Sequence, residues 1–299
     1  MKIKGMIFVL IGAASFGFTP IFVKTGFDFG YSLGQITLTQ MIVALAFLWG
    51  LSLIKGFRVQ GIGKGELIKI LASGTFVGLT GILYYGAMIY LPASLAIILL
   101  FQFVWVGMIF EWFFTKVKPS RINLVSMVII LLGVFFASEL LEGGVFDFPT
   151  IGLVLGFLSA FSYAGFIFFS GHVGVHTHPI MRSTLMISGS TVLILIVFFQ
   201  DIPTLPLSEG RLWLVAAGIA LVGAVLPPLF FAGGAPLISG RLANVLSSIE
   251  LPVAIVSAMI ILTETVSGLQ WLGIALIIVA IFVNELGEPL IRKASVKNM

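Results

Sequence analysis

The chain has 299 residues, of which 59% are apolar and only 9% charged, where a soluble protein of this size carries about a quarter charged. Twelve acids and sixteen bases cannot cover a water-soluble surface of that extent, so lipid is the solvent for most of the chain. The net charge of +4 does not mark a nucleic-acid binder, because the bases sit in short connectors between apolar runs. The lack of cysteine excludes a disulfide framework, a zinc–cysteine site and thiol chemistry.

A helix needs about 20 apolar residues to cross about 30 Å of hydrocarbon. The first such run, 5–23, follows Lys2 and Lys4, and its length favours a full span over a signal peptide ending at Ala13-Ala14-Ser15. Pro20 should bend it. The second, 34–54, holds Gln40 at depth, and the third, 67–90, carries Gly74-xxx-Gly78 and ends through Tyr84, Tyr85 and Tyr90. The fourth, 93–114, contains Gln102, Trp105, Glu111 and Trp112; the fifth covers 122–141. Runs six and seven, 151–170 and 183–200, are preceded by Pro149-Thr150 and by a connector with His172, His176 and His178. The eighth, 211–232, includes Pro227-Pro228; the ninth, 242–262, includes Asn244, Glu250 and Pro252; the tenth is 268–286. No connector is long enough for a soluble domain. Lipid satisfies no open backbone, so each run is a helix or part of a closed barrel. Barrel strands are short and alternate in polarity, and these runs are long and continuously apolar, which decides for helices.

With the N-terminus in the cytoplasm, the inner segments carry fourteen bases, from Lys2, Lys4, Lys55, Arg58, Lys64, Lys69, Lys116, Lys118 and Arg121 through Arg182 and Arg241 to Arg292, Lys293 and Lys297. The outer segments carry two, Lys24 and Arg211. This alternation across all ten spans predicts a multi-pass protein of the cell membrane with both termini cytoplasmic.

A weak internal repeat is also present. Gly5 to Val23 resembles Gly152 to Ser170 at an offset of 147, and 91–125 resembles 239–273 at 148, pairing Gln102 with Glu250. Five spans is an odd number, so the second copy sits upside down relative to the first. The expected architecture is an all-α integral membrane domain of ten transmembrane helices as two inverted five-helix repeats, 1–147 and 148–299.

The second half carries Arg241-Leu242-Ala243, then Ile249-Glu250-Leu251-Pro252-Val253, then Leu262-Thr263-Glu264, followed by Gln270 and Gly273. On these residues the chain resembles the drug/metabolite transporter superfamily, specifically its EamA-like ten-helix exporters, over nearly its whole length. Leu251 separates the glutamate and proline of the family's "E-P" step, and Thr263 stands where the family usually has glycine. In the first half Gln102 and Lys116 occupy the positions of Glu250 and Glu264, and Gln40 is nearest to a second-helix arginine common in the family. The resemblance implies movement of small polar metabolites, often amino acids, or of cationic compounds, usually outward.

Ionisable groups at mid-membrane depth are costly and mark function by default. Glu250 lies about eight residues into its span, with Pro252 opening the backbone beside it. A carboxyl there suits a coupling proton or a substrate amine, and equally a hydrogen bond holding helices together. Gln102, Trp105, Tyr84, Tyr163 and Gln40 are the other candidates for the substrate cavity. Tyr90 belongs to the interfacial belt, Asn244 to a helix–helix contact, and Glu264 to a helix end. Glu111, near a helix end, should pair with a neighbouring Lys or Arg. The three histidines share one connector without a nearby carboxylate or cysteine, so no metal is expected, and no cofactor. Gly61-Ile62-Gly63-Lys64-Gly65 lacks the spacing and the strand–helix context of a Walker A loop. An intramembrane enzyme would need a nucleophile and base on different helices, which the single histidine cluster does not supply. The partners expected are a small-molecule substrate and membrane lipid, with no nucleic acid; the oligomeric state stays open, a homodimer included.

Overall fold

The computed structural model describes residues 1–56, 59, 61–138, 148–261, 263 and 265–297, and at 93, 94 and 286–297 it describes the backbone alone. Its regular elements, among the described residues, are all helical. Ten apolar helices match the predicted runs to within five residues at each end. They are α1 (Lys2–Asp28), α2 (Leu33–Ile54), α3 (Lys64–Tyr90), α4 (Leu95–Thr115), α5 (Arg121–Ala137), α6 (Thr150–His172), α7 (Pro179–Val197), α8 (Gly210–Leu237), α9 (Gly240–Ile261) and α10 (Gly268–Glu285). Arg58, Leu262 and Glu264 lie outside the described residues.

Large apolar side chains such as Phe47, Leu53, Leu214 and Phe282 point outward, whereas Thr39, Ser126, Ser159 and Ser190 are fully buried. In water this distribution would be inside out. In lipid it is the stable one, because only the helix interfaces need small and polar residues. Helix starts are capped from the sequence: Ser32 with Gln35 opens α2, Ser120 with Asn123 opens α5, and Ser267 with Gln270 opens α10. Each box satisfies backbone N–H groups that have no helical partner. Gln270, part of the motif carrying the family resemblance, therefore has a local structural task.

The helix ends gather at two faces. Lys2 Nζ reaches Glu285 at 2.9 Å, Arg241 donates to the carbonyls of Val117 and Lys118, and Glu66 faces Thr177, which together define the termini end. At the far end Tyr31 donates to Glu209 at 2.8 Å and Gln35 donates to the Thr204 carbonyl. Arg182, counted among the inner bases, is 1% exposed and not a solvated charge. Its guanidinium donates to the carbonyls of Ser170, Val173 and Ala232, tying the closing turns of α6 and α8 together at the termini end. Helix C-termini offer unpaired carbonyls and favour a cation.

The halves recur inverted. Gly5 lies against Gly234 and Leu237 at the termini end, while Gly152, at the equivalent position, lies against Tyr90 and Leu91 at the far end. The capping boxes at Ser120 and Ser267 stand 147 residues apart, and so do Lys116 and Thr263, the positive-φ residues outside glycine, at φ 60° and 55°. Thr263 thus holds a left-handed conformation that glycine adopts freely and a β-branched residue does not. That explains why a glycine suits this position in the family pattern.

Three helices break in mid-span. α1 interrupts at Gly17-Phe18, just before Pro20; α4 at Phe101-Gln102; α9 at Ser248-Ile249, just before Pro252. α8 widens into a π-helical stretch, Ala220–Val225, ahead of Pro227-Pro228. Proline removes a backbone donor and crowds the preceding turn, which accounts for three of the four distortions.

α3 and α7 approach most closely through glycines. A Cβ on Gly74 would meet the Met186 backbone and one on Gly189 the Leu71 backbone, so neither can give way. Gly74→Val is expected to destabilise the protein by about 3 kcal/mol or more. Gly63→Ala, with open space around it, should leave stability unchanged; thermal unfolding in detergent compares the two.

Candidate functional site

The broken helices meet around Glu250. A Cβ on Gly17 would stand 2.6 Å from the Glu250 carbonyl and 2.9 Å from the Ala254 nitrogen, so the α1 break lies directly on the α9 break. Leu100, at the α4 break, lines the same cavity as Glu250. Pro252 has no N–H, so the Ser248 carbonyl four residues back lacks its helical donor. Glu250 itself is 5% exposed, and Tyr163 of α6 donates its hydroxyl to Oε2 at 2.8 Å. Tyr163 is held by edge-to-face contacts with Phe103 and Phe16, centroids at 4.8 and 5.4 Å, and lies parallel to Phe166.

The cavity beside this pair measures about 30 Å³, room for about one water molecule. Polar groups enter it from five further positions: Thr19 of α1, Gln40 of α2, and Thr80, Tyr84 and Tyr85 of α3. Thr19 Oγ1 and Gln40 Oε1 are buried without a hydrogen-bond partner. Both side chains face Gly223 in the π-helical stretch of α8, where a Cβ would lie 3.3 Å from each. Short π segments recur at functional sites because they turn a backbone or side chain out of register. No Lys, Arg or His is among the residues lining the cavity. A carboxylate at this depth without counter-charge is costly.

Toward the far end a second cavity of about 560 Å³ opens. Its walls are the outer part of α1, with Pro20, Lys24 and Asp28, the outer part of α9, with Leu251, Ile255 and Ala258, and Ile97 and Gln270. Its size suits a small metabolite. Tyr84 lines both spaces and separates the small one from the large one. On the termini side of Glu250, Asn244 of α9 lies on Gly107 of α4 and Glu111 of α4 on Gly240 of α9.

The EamA-like transporter family pattern matches residues 3–139 and again residues 150–285. The chain belongs to the EamA-like transporter family. A Bacillus subtilis (strain 168) protein named as the uncharacterized transporter YcbK is 28% identical over 175 residues, 56% of this chain and 55% of that protein. The chain thus spans about half the length of that relative. The uncharacterized transporter sll1319 of Synechocystis is 22% identical over 99% of this chain and 98% of its own. A solved structure titled only as the crystal structure of a protein superposes with a TM-score of 0.77 at 14% identity, covering 96% of this chain and 98% of that one. That likeness concerns the fold.

Within this EamA-like transporter, four of the residues expected to bind substrate come together: Glu250, Tyr163, Tyr84 and Gln40. Gln102 and Trp105 do not join them and line neither cavity. Gln102 donates to the Ile98 carbonyl, freed by the α4 break, at 3.1 Å and accepts from Trp105 Nε1 at 2.8 Å. Trp105 packs on Phe157 and Phe161. The amide is consumed in holding the kink, and across the α4–α9 contact it is Leu100 that lies by Glu250. Of the two deep tyrosines, Tyr84 and Tyr85, the sequence points to one facing a cavity, and both do; Thr19 and Thr80 carry no such signal as ligands. Tyr85 shares Tyr84's signal, a tyrosine too deep for the interfacial belt, and Thr19 sits between a glycine and a proline in mid-span. Tyr90 is 45% exposed at the helix end.

Among the described residues Glu111 forms no ion pair. Its Oε2 has no hydrogen-bond partner and the side chain is 6% exposed. Arg241, a base brought to the same end of α4, spends its guanidinium on the carbonyls of Val117 and Lys118 that follow the helix. Asn244 makes the expected helix contact, lying on Gly107 of α4. His172 stacks on Phe168, its Nδ1 2.8 Å from that residue's carbonyl, and His178 caps α7 by accepting from the Ile180 N–H.

A hydrogen bond to a charged group contributes about 1.5–3 kcal/mol. In a double-mutant cycle of Tyr163→Phe with Glu250→Gln, read by chemical unfolding in detergent, a coupling of about 1–3 kcal/mol is expected. Additivity of the two changes would show that the bond contributes nothing.

Proposed function

We propose that this transporter is a secondary carrier that works by alternating access and exports a small amine-bearing metabolite, an amino acid or a related amphiphilic compound. The observation that carries the reading is the buried Glu250–Tyr163 pair at the convergence of three helix breaks, without a basic neighbour in its cavity. Broken helices around a midplane site and inverted repeats are the usual construction of secondary transporters. In this reading 1–147 and 148–299 are the two copies, and exchanging their conformations moves the opening from one membrane face to the other.

The excess of bases at the termini end makes that end cytoplasmic and the protein one of the cell membrane. The 560 Å³ vestibule then opens outward. Glu250, Tyr163, Tyr84 and Gln40 bind substrate, with Glu250 opposite the amine and the hydroxyl and amide groups free for its polar remainder. Glu250 is also the group that would couple transport to protons, by exchanging a proton for the ammonium group. The rings of Phe16, Phe166, Tyr84 and Tyr163 around the carboxyl favour a second substrate class, organic cations, through cation–π attraction.

Purified protein in liposomes, screened for counterflow of radiolabelled amino acids and organic cations, tests the reading. Saturable counterflow is expected, with Glu250→Gln lowering it at least tenfold, the equivalent of about 1.4 kcal/mol. Full counterflow in that variant would remove Glu250 from the mechanism. Flux independent of pH would remove the proton and leave a facilitative carrier.

A further inference from the structure

The termini-end halves of α4 and α9 close on one another by an exchange of side chains. Glu111 of α4 lies over Gly240 of α9, and Asn244 of α9 lies over Gly107 of α4. Gly107 and Glu111 are four residues apart on α4, and Gly240 and Asn244 four apart on α9, one turn each, as two antiparallel helices in register require. A Cβ at either glycine would stand where the facing polar group now lies, so each glycine makes the room its partner's side-chain end occupies.

The contact is tight but polar. Glu111 Oε2, Asn244 Oδ1 and Ser248 Oγ are all buried without hydrogen-bond partners, and Asn244 and Ser248 are 1% and 0% exposed. Asn244 and Ser248 lie along α9 and lead from Gly240 toward Glu250. Polar residues are ordinary at membrane helix interfaces, where they hydrogen-bond across helices, but these three atoms do not, and each unmet polar atom weakens the seam. Beyond the breaks the same two helices behave differently: Ile97 and Ile255 stand on opposite walls of the open vestibule.

We propose that this seam is the cytoplasmic entrance to the Glu250 cavity, and that Glu111 is a second cation-binding carboxylate, the one an incoming ammonium group meets first. When the inner halves of α4 and α9 part, Glu111 comes off Gly240 and its unused oxygen faces the passage. Asn244 and Ser248 then line the route inward to Glu250. The inference rests on the exporter reading for its direction, but its test requires no known substrate.

The chain has no cysteine, so a single thiol reports on the seam. In inside-out vesicles Asn244→Cys would be treated with a positively charged trimethylammonioethyl methanethiosulfonate and a negatively charged sulfonatoethyl one. Gly63→Cys, in the exposed connector before α3, is the control for access to that face. The thiol at position 244 is expected to react from the cytoplasmic face, with the cationic reagent favoured by about tenfold over its ratio at position 63, as one nearby unit charge gives in a wet passage. Adding Glu111→Gln should return the ratio to the control value. If the control reacts and position 244 does not, the seam is not an entrance. If position 244 reacts with a ratio that Glu111→Gln leaves unchanged, Glu111 binds no cation. Should Asn244→Cys not elute as a single folded species, Ser248→Cys serves as reporter, being nearly isosteric. Failure of the Glu250→Gln counterflow test leaves these labelling rates as they are, so the two readings fall separately.

Discussion

Hydrocarbon gives a backbone nothing to bond to, so a helix that breaks inside a bilayer must place its freed carbonyls against protein or water. The rest of this architecture follows from that constraint. α1, α4 and α9 all break in mid-span, and their breaks lie together: Gly17 sits on the Glu250 backbone, and Leu100 lines the cavity with Glu250. Each break supplies what another needs. The missing side chain at Gly17 lets α1 reach the α9 kink, and Gln102 takes up the Ile98 carbonyl at the α4 kink. One interrupted helix would be a defect facing lipid. Three that share a single interruption make a polar interior.

Glu250 is affordable only inside that arrangement. It stands at the start of a half-helix, its carboxyl held by Tyr163 and walled by rings, and the cavity beside it has room for about one water. A substrate of metabolite size cannot occupy about 30 Å³ without displacing Tyr84 or its neighbours. The far-end vestibule, at about 560 Å³, can hold such a molecule but offers few polar groups besides Lys24, Asp28 and Gln270. On the proposed reading, recognition and accommodation are therefore in different places, and Tyr84, which lines both, stands between them.

The spans and the two ends could be read directly, because apolar length and the placement of bases are properties of sequence alone. Glu250 and Tyr163 were legible for a related reason: a charge or a hydroxyl deep in an apolar run has few places to go. The α1 and α9 breaks were announced by Pro20 and Pro252. The α4 break was not, since Leu99-Leu100-Phe101-Gln102-Phe103 contains neither proline nor glycine. With it went the position of Gln102, whose pairing with Glu250 by repeat offset is sound along the chain but places its amide on the kink. Facing is the quantity a membrane sequence hides. When every side of a helix is apolar, periodicity does not distinguish the cavity from the lipid, and Thr19 and Tyr85 wait on coordinates for that reason. Glu111 lacks its expected basic partner because a base near in sequence or at the same helix end is not thereby near the carboxyl: Arg241 is taken up by the carbonyls of Val117 and Lys118.

The two ends of the α4–α9 pair differ in what closing would gain. At the far end the walls are Ile97, Ile255 and Ala258, so bringing them together buries apolar surface, worth about 25 cal/mol per Å² where water is expelled. At the termini end closure leaves three polar atoms unmet, each costing about 1–3 kcal/mol. In the closed inner state that cost is opposed by the close glycine contacts of the seam itself. Hydrophobic closure at one end and wetting at the other would, on the alternating-access reading, drive the helices in the same direction, toward the inward-open form, and the glycine packing of the seam would drive them back. On the alternating-access reading, two conformations balanced by opposing terms of a few kcal/mol can be tipped by a ligand whose affinities for them differ by as little. A cation bound at Glu250, touching all three broken helices at once, is placed to supply that difference.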